Sequence, residues 1–265
     1  MSIVDCETRD GIATITLNRP ESLNAMNAGL MSGLSECFAR VEADEDVRVV
    51  VLTGAGRGFC SGADLVAMGD GGDATSEVVR GDVMAEVFNP AIQAIANCPV
   101  PTICRINGVA AGGGFGLAMA CDISIAARSA FFVATFGPRL GIVPDLGTSW
   151  HLPRRVGAAR ARGIAMLGGR ISADQAAQWG LIWDAVDDQN LDASVDEVAQ
   201  VLKRSSPNAM TRIRSAMAQA GSNTLDEQLD LEHRHQVVLI PANMLEGAEA
   251  FVEKRDPVFR PTREK

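Results

Sequence analysis

The sequence predicts an α/β fold built on a largely parallel sheet, followed by a helical C-terminal part. Two observations carry this. Apolar runs at Val47–Leu52, Pro101–Ile106 and Ile123–Ala127 read as buried strands, with helix-like segments between them. From Gly157 onward, helix signals dominate. We place the change near residue 200, giving a core of 1–200 and a helical region of 201–265.

The elements follow in order. Ile3–Thr8 and Gly11–Leu17 alternate apolar and polar residues around Arg9-Asp10-Gly11, the pattern of a hairpin. Leu30, Leu34, Phe38 and Val41 share one face of a helix that starts near Asn27. Val47–Leu52 is a continuous apolar run ending in Thr-Gly. Gly69–Ser76 is glycine-rich and acidic and reads as a flexible loop able to overlie a site, and Glu77–Ala96 reads as helix. Pro101–Ile106 leads into three glycines, and Phe115–Ala120 leads out as a small-residue helix. From Gly157 onward, only Leu181–Val186 looks strand-like. Ser172–Gln175 and Thr224–Glu227 have capping-box spacing, and Ser206-Pro207 fits an N-cap followed by proline.

Composition narrows the function classes. In 265 residues, 47% are apolar and 22% charged, which suits an ordinary globular chain with a sizeable core. The net charge of −9, with no Lys/Arg block to offset it, argues against a nucleic-acid partner. The six cysteines form no CxxC pair, so zinc and thioredoxin readings lack support and core packing is the expected role. Met-Ser-Ile-Val-Asp has no basic region followed by an apolar one, and no 18-residue apolar run occurs. We therefore expect no signal peptide, no membrane span and a cytoplasmic location.

Two glycine loops follow predicted strands. Asn107–Gly116 contains Gly112, Gly113 and Gly114; Thr53–Leu65 contains Gly54, Gly56, Gly58 and Gly62. Backbone N–H groups at a strand–loop–helix junction favour negative charge, either a phosphate or a developing oxyanion. A tight helix–strand contact is the structural alternative. Leu117 breaks a GxGxxG pattern from Gly112, Met119 breaks one from Gly114, and there is no GxxxxGK[ST]. Two such loops can converge at the strand carboxyl ends, where their N–H groups make an oxyanion hole for a thioester carbonyl. Asp64 follows as an acid, a cap or a structural acceptor. Asp145, between Pro144 and Leu146, is either an N-cap or a desolvated carboxylate raised in pKa and able to act as a base.

His233 and His235 lie two apart on a helix and cannot share a face, so a metal site is not expected; with His151 they read as surface or interface residues. Gly58-Phe-Cys-Ser-Gly lacks nucleophile-elbow spacing.

Four segments in order, Leu17–Met26, Gly58–Leu65, Asn107–Asp122 and Leu140–Thr148, resemble the signature segments of the enoyl-CoA hydratase/isomerase (crotonase) superfamily. The resemblance runs to Ala250–Arg255 and covers essentially the whole chain. It implies a spiral of ββα units, a helical C-terminal trimerisation region, and homotrimers or dimers of trimers. It implies an acyl-CoA thioester as substrate and no separate cofactor. It maps the oxyanion hole onto the N–H groups of Ala63 and Gly113.

The departures from that pattern are informative. Gly116 and Gly137 stand where typical hydratases carry their two glutamates. Asp145 matches the aspartate of dienoyl-CoA isomerases and of the 1,2-epoxyphenylacetyl-CoA isomerases of phenylacetate breakdown, and its context is closest to the latter. Aryl-CoA dehalogenases use this aspartate as nucleophile with a histidine on the preceding helix, but Glu77–Asn97 contains none. The resemblance also assigns Asn24, Ala25, Ser61, Gly62, Asp64, Leu65, Gly112, Gly116, Gly137, Leu140, Phe251 and Lys254 to substrate and CoA binding, the last two at the nucleotide end. Ser22 stands where many relatives place lysine. The acyl pocket is expected from Ala67–Ala85, Phe132–Leu140 and the C-terminal helices. The reading is an acyl-CoA isomerase, with an enoyl-CoA hydratase and a non-catalytic acyl-CoA-binding subunit as rivals.

Overall fold

The structure, a computed structural model, describes residues 2–65 and 83–259. The expected loop Gly69–Ser76 lies outside the described residues, as do 77–82 of the expected helix.

Strands β1 (Val4–Arg9) and β2 (Ile12–Leu17) pair antiparallel, with Val4 opposite Leu17 and Arg9 opposite Ile12. Asp10 and Gly11 turn the chain with φ of 49° and 74°, the left-handed pair of a two-residue hairpin. Helix α1 (Ala28–Ala43) begins where the Asn27 side chain accepts from the Leu30 N–H at 2.9 Å. Its inner face buries Leu30, Leu34, Phe38 and Val41. Each such side chain contributes roughly 1.5–3 kcal/mol.

β3 (Val49–Gly54), β5 (Thr102–Ile106), β7 (Ile123–Ala127) and β10 (Asp184–Val186) extend the sheet in parallel, in the order β1-β2-β3-β5-β7-β10. After each of β3, β5 and β7 a short strand leaves for a second sheet. These are β4 (Gly58–Cys60), β6 (Val109–Ala111) and β8 (Phe131–Val133), and β9 (Arg170–Ser172) closes that sheet antiparallel to β8. The repeated unit is therefore strand, strand, helix. The second sheet's strands are three residues each, and the sequence carries no separate signal for them.

The described part of the helix expected over Glu77–Ala96, residues 83–96, is helical throughout and ends in helix α2 (Asn89–Ala96). Met84–Phe88 forms a π-helical turn, and α-helix resumes only at Asn89. Pro90 lacks the N–H that an unbroken α-helix would bond to the preceding turn. Helix α3 (Gly113–Ala120) is buried on every side, as its uniformly apolar sequence requires. Leu181–Val186 is shorter as a strand than expected. The Leu181 N–H turns back to the carbonyl of Ala176 at 2.9 Å, so pairing starts only at Asp184.

Helix α4 (Thr148–Leu167) supplies Arg155, whose half-buried guanidinium donates to the carbonyls of Met119, Cys121 and Leu181 at 2.7, 3.0 and 2.9 Å. It thereby satisfies the last carbonyls of α3. Short helix α5 (Ala173–Gln178) is capped by Ser172, as its spacing predicts. Residue 200 lies inside α6 (Leu191–Arg204), which packs on the sheet and ends just before Ser205. α7 (Pro207–Gln219) is capped by Ser206, and α8 (Leu225–Glu253) opens with a full capping box from Thr224 and Glu227. Arg214 ties α7 to the core through Asp122 at 2.7 Å and the carbonyls of Ala96 and Cys98. Among the described residues, no helix is long and apolar enough to cross a membrane, and no cluster could hold a metal ion.

Candidate active site

The two glycine loops meet, each emerging from a strand of the second sheet. Gly62, at φ 98°, lies so close to the next loop that a Cβ on it would stand 2.8 Å from the Ala111 carbonyl oxygen. Gly112, at φ 50° and ψ −125°, occupies a region closed to side-chain-bearing residues. The two loops thus pass backbone against backbone.

Ala63 pairs with Met26 in a single parallel bridge. Met26 makes both hydrogen bonds of that bridge, donating to the Gly62 carbonyl at 2.7 Å and accepting from the Asp64 N–H at 3.0 Å. The Ala63 N–H faces the other way and finds no acceptor among the described residues. Gly113 is the first residue of α3, so its N–H has no acceptor within the helix. Ala63 and Gly113 both line one pocket.

Asp145 enters the same pocket. Its Oδ1 is buried without a hydrogen-bond partner. Burial raises its pKa above the ordinary 3.8, opposed in part by its own backbone N–H. The carboxylate does not cap α4: Gly147 holds the N-cap position with no side-chain bond, and Asp145 meets the Thr148 N–H only through its carbonyl, at 2.8 Å. Next to it, Leu146 is held at φ 47°, a costly conformation for a bulky residue, with its side chain buried. The sequence alternative of base or cap thus resolves toward an uncapped, desolvated carboxylate.

The pocket brings together Ser61, Gly62, Ala63, Leu65, Gly112, Gly113, Leu140 and Asp145 from the sequence-derived set. Other members of the set stand elsewhere. Asn24 is fully buried; it accepts from the Arg19 N–H at 2.8 Å and donates to the carbonyls of Ala55 and Gly58 at 3.0 and 2.9 Å. It clamps the turn between β3 and β4 rather than facing a ligand. Ala25 is buried, and its carbonyl accepts from Arg19 at 2.6 Å. Asp64 pairs with Arg19 at 2.8 Å. Gly137 sits in the π-helical turn Phe136–Leu140 without lining the pocket. Phe251 is exposed, Lys254 is the left-handed end of α8, and neither lines it.

Gly116 also stands outside the pocket, for a steric reason. A Cβ there would meet the Leu146 carbonyl oxygen at 2.7 Å and Thr148 Oγ1 at 2.9 Å. The chain carrying Asp145 fills the space that a side chain at 116 needs.

The sequence reading did not single out Met26, Phe88, Ile142 or Leu146, which line the pocket. Met84, Thr135 and Phe136 fall inside the segments expected to form it, whereas the C-terminal helices do not line it among the described residues. No periodicity marks these positions; Ile142 and Leu146 could have been found only from their closeness to Asp145. Cys60 is buried with its thiol pushed up to about 12, so it is no nucleophile. His151, expected at the surface or an interface, is half-buried: burial, with Arg155 and Arg154 nearby, lowers its pKa to about 4 and keeps it neutral.

Residues 7–262 match the enoyl-CoA hydratase/isomerase family. The chain is 43% identical over 265 residues to a protein of Escherichia coli K12 named 1,2-epoxyphenylacetyl-CoA isomerase, covering 98% of each. It is 43% identical over 255 residues, 96% of each, to a protein of Rhodobacter capsulatus named probable enoyl-CoA hydratase. The structure superposes on a crystal structure of an enoyl-CoA hydratase from Polaromonas sp. JS666 with a TM-score of 0.90 and 32% identity, covering 97% of this chain and 99% of that one. A Bacillus anthracis enoyl-CoA hydratase gives 0.90 and 30%, covering 98% and 100%.

Proposed function

The chain belongs to the enoyl-CoA hydratase/isomerase family, and from that premise we propose that it is an acyl-CoA isomerase working through a thioester enolate. The Ala63 and Gly113 N–H groups hold the thioester carbonyl oxygen. Asp145 takes an acidified proton from the acyl carbon chain; the C–H pair moves into the thioester as an enolate. The same carboxyl returns the proton at another carbon as the enolate collapses. The net result is a shifted double bond; where the substrate carries a ring epoxide, the enolate pair instead breaks its C–O bond and the released oxygen takes the proton from the carboxyl. No water is consumed and no electron acceptor is needed, so the coenzyme A ester is the only small molecule required.

The observation that carries this reading is the unpartnered, pKa-raised carboxylate of Asp145 in the pocket that Ala63 and Gly113 line. Asp145→Asn, checked for fold, must lose isomerase turnover; retained turnover contradicts the assignment. The names of several relatives favour a hydratase instead. Against that stands Gly116, whose surroundings leave no space for a side chain that could activate water. Crotonyl-CoA hydration, followed by loss of conjugated thioester absorbance, separates the two. Binding of acyl-CoA without proton exchange in deuterated water would mark a non-catalytic subunit.

The proposal extends to a place in aromatic-acid degradation of the phenylacetate type, supported by the name of the E. coli relative. It includes a cytoplasmic homotrimer or dimer of trimers. The exposed apolar side chains Val237, Ile240, Met244 and Leu245 of α8 support the assembly. In it, Phe251 and Lys254 would meet the nucleotide end of a neighbour's ligand.

A further inference from the structure

We propose that the Thr135 hydroxyl binds an oxygen on the acyl group, so that the pocket selects oxygenated acyl-CoA esters over hydrocarbon ones. This rests on the reading of the pocket as an acyl-CoA site.

The pocket wall is mostly apolar, formed by Met26, Met84, Phe88, Phe136, Leu140 and Ile142. Polar side chains in that wall are few. Ser61 already donates to the Ser22 carbonyl at 3.1 Å, and Asp145 is the base. Thr135 lines the pocket with a hydroxyl that has no hydrogen-bond partner among the described residues. Nothing local requires it: Thr135 precedes the π-helical turn without capping it through its side chain.

Its position gives the hydroxyl a use. A Cβ on Gly112 would lie 3.0 Å from Thr135 Oγ1. The hydroxyl therefore flanks the loop one residue before the Gly113 N–H that holds the thioester oxygen. A donor there reaches an oxygen a few bonds from the carbonyl carbon, such as a ring epoxide or hydroxyl. A hydrocarbon acyl group would leave the hydroxyl unpaired against apolar neighbours, and sites built around such a bond discriminate against the analogue lacking it.

The test uses calorimetric binding of 2-hydroxyphenylacetyl-CoA and phenylacetyl-CoA, whose only carbon–carbon double bonds are aromatic and which carry no epoxide. The wild-type protein should bind the hydroxylated ester roughly 3- to 10-fold more tightly. Thr135→Val keeps the shape and breaks no hydrogen bond within the protein; its preference should fall to about 1-fold, with phenylacetyl-CoA affinity within about 2-fold of wild type. Thr135→Ser should keep the preference. A wild type without preference, an unchanged preference in Thr135→Val, or an equal loss for both esters overturns the proposal. A wild type that binds neither ester contradicts the acyl-CoA reading itself and this assignment with it.

Discussion

The carbonyl oxygen of Leu146 stands 2.7 Å from where a Cβ on Gly116 would lie, so the segment carrying Asp145 can pack as it does only because residue 116 has no side chain. Leu146 is itself held at φ 47°, so the contact and the strained backbone belong to one arrangement. A missing carboxylate at 116 and a present one at 145 are two ends of the same packing choice.

Gly116→Glu is therefore expected not to create a hydratase. The new side chain must displace Leu146 and Thr148, moving Asp145 with them. Overpacking of this kind costs about 1–3 kcal/mol. Isomerase turnover should fall by roughly 10-fold or more, since small misplacements of reacting groups are costly. Steady-state assays with an isomerisable ester and with crotonyl-CoA check both halves; gained hydration would contradict the steric account.

Burial raises the Asp145 carboxyl above 3.8, and a base must be ionised to act. The value of kcat/KM should rise with pH through an inflection above 3.8 and then level off. A pH–rate profile that is flat across the acid range, with the protein folded throughout, would count against Asp145 as the base.

The same shift has a stability consequence of defined sign. The folded state holds the Asp145 proton more tightly than the unfolded chain, so stability falls as pH rises from 3.8 through the higher folded pKa and stays lower above it. Asp145→Asn should thus melt at the same temperature as wild type or higher at neutral pH. That advantage should vanish below 3.8, where both side chains are neutral. Melting curves at two pH values check this; a variant less stable at neutral pH would mean the carboxylate has a partner.

Asn24→Ala should act on stability rather than on CoA binding. The buried side chain closes three hydrogen bonds around the β3–β4 turn. Their loss should cost about 2–4 kcal/mol. At temperatures where the variant stays folded, its CoA-ester affinity should match wild type; a selective loss of affinity would restore Asn24 to the binding site.

Arg155→Met should be among the most destabilising single changes. It strips the carbonyls of Met119, Cys121 and Leu181 of their donor in a half-buried place. A loss of about 3 kcal/mol is expected, read as a fall in Tm of roughly 6–12 °C. A change below about 1 kcal/mol would mean that water reaches those carbonyls.

Much of the first sheet was legible because its signals are local. Asp10-Gly11 announces its own hairpin, and β3 is a run of apolar residues long enough to recognise. The second sheet was not, because β4, β6, β8 and β9 are three residues each and carry no period. Their hydrogen bonds are made to strands distant in sequence. At the site, Asp145 could be read from Pro144 and Leu146 beside it. Gly116 could be read only as a departure from a pattern: what fills its space is set by Leu146 and Thr148, thirty residues on. The Asn24 clamp was hidden for a similar reason, since its partners at Ala55 and Gly58 belong to a later turn.

The central claim is that Asp145 moves a carbon-bound proton while Ala63 and Gly113 hold the enolate oxygen. Deuterium incorporation from heavy water into an isomerisable acyl-CoA ester, followed by mass spectrometry, tests it most directly. The wild-type protein should exchange and isomerise, and folded Asp145→Asn should exchange about 10²-fold more slowly or worse. Exchange by Asp145→Asn at the wild-type rate would contradict the account.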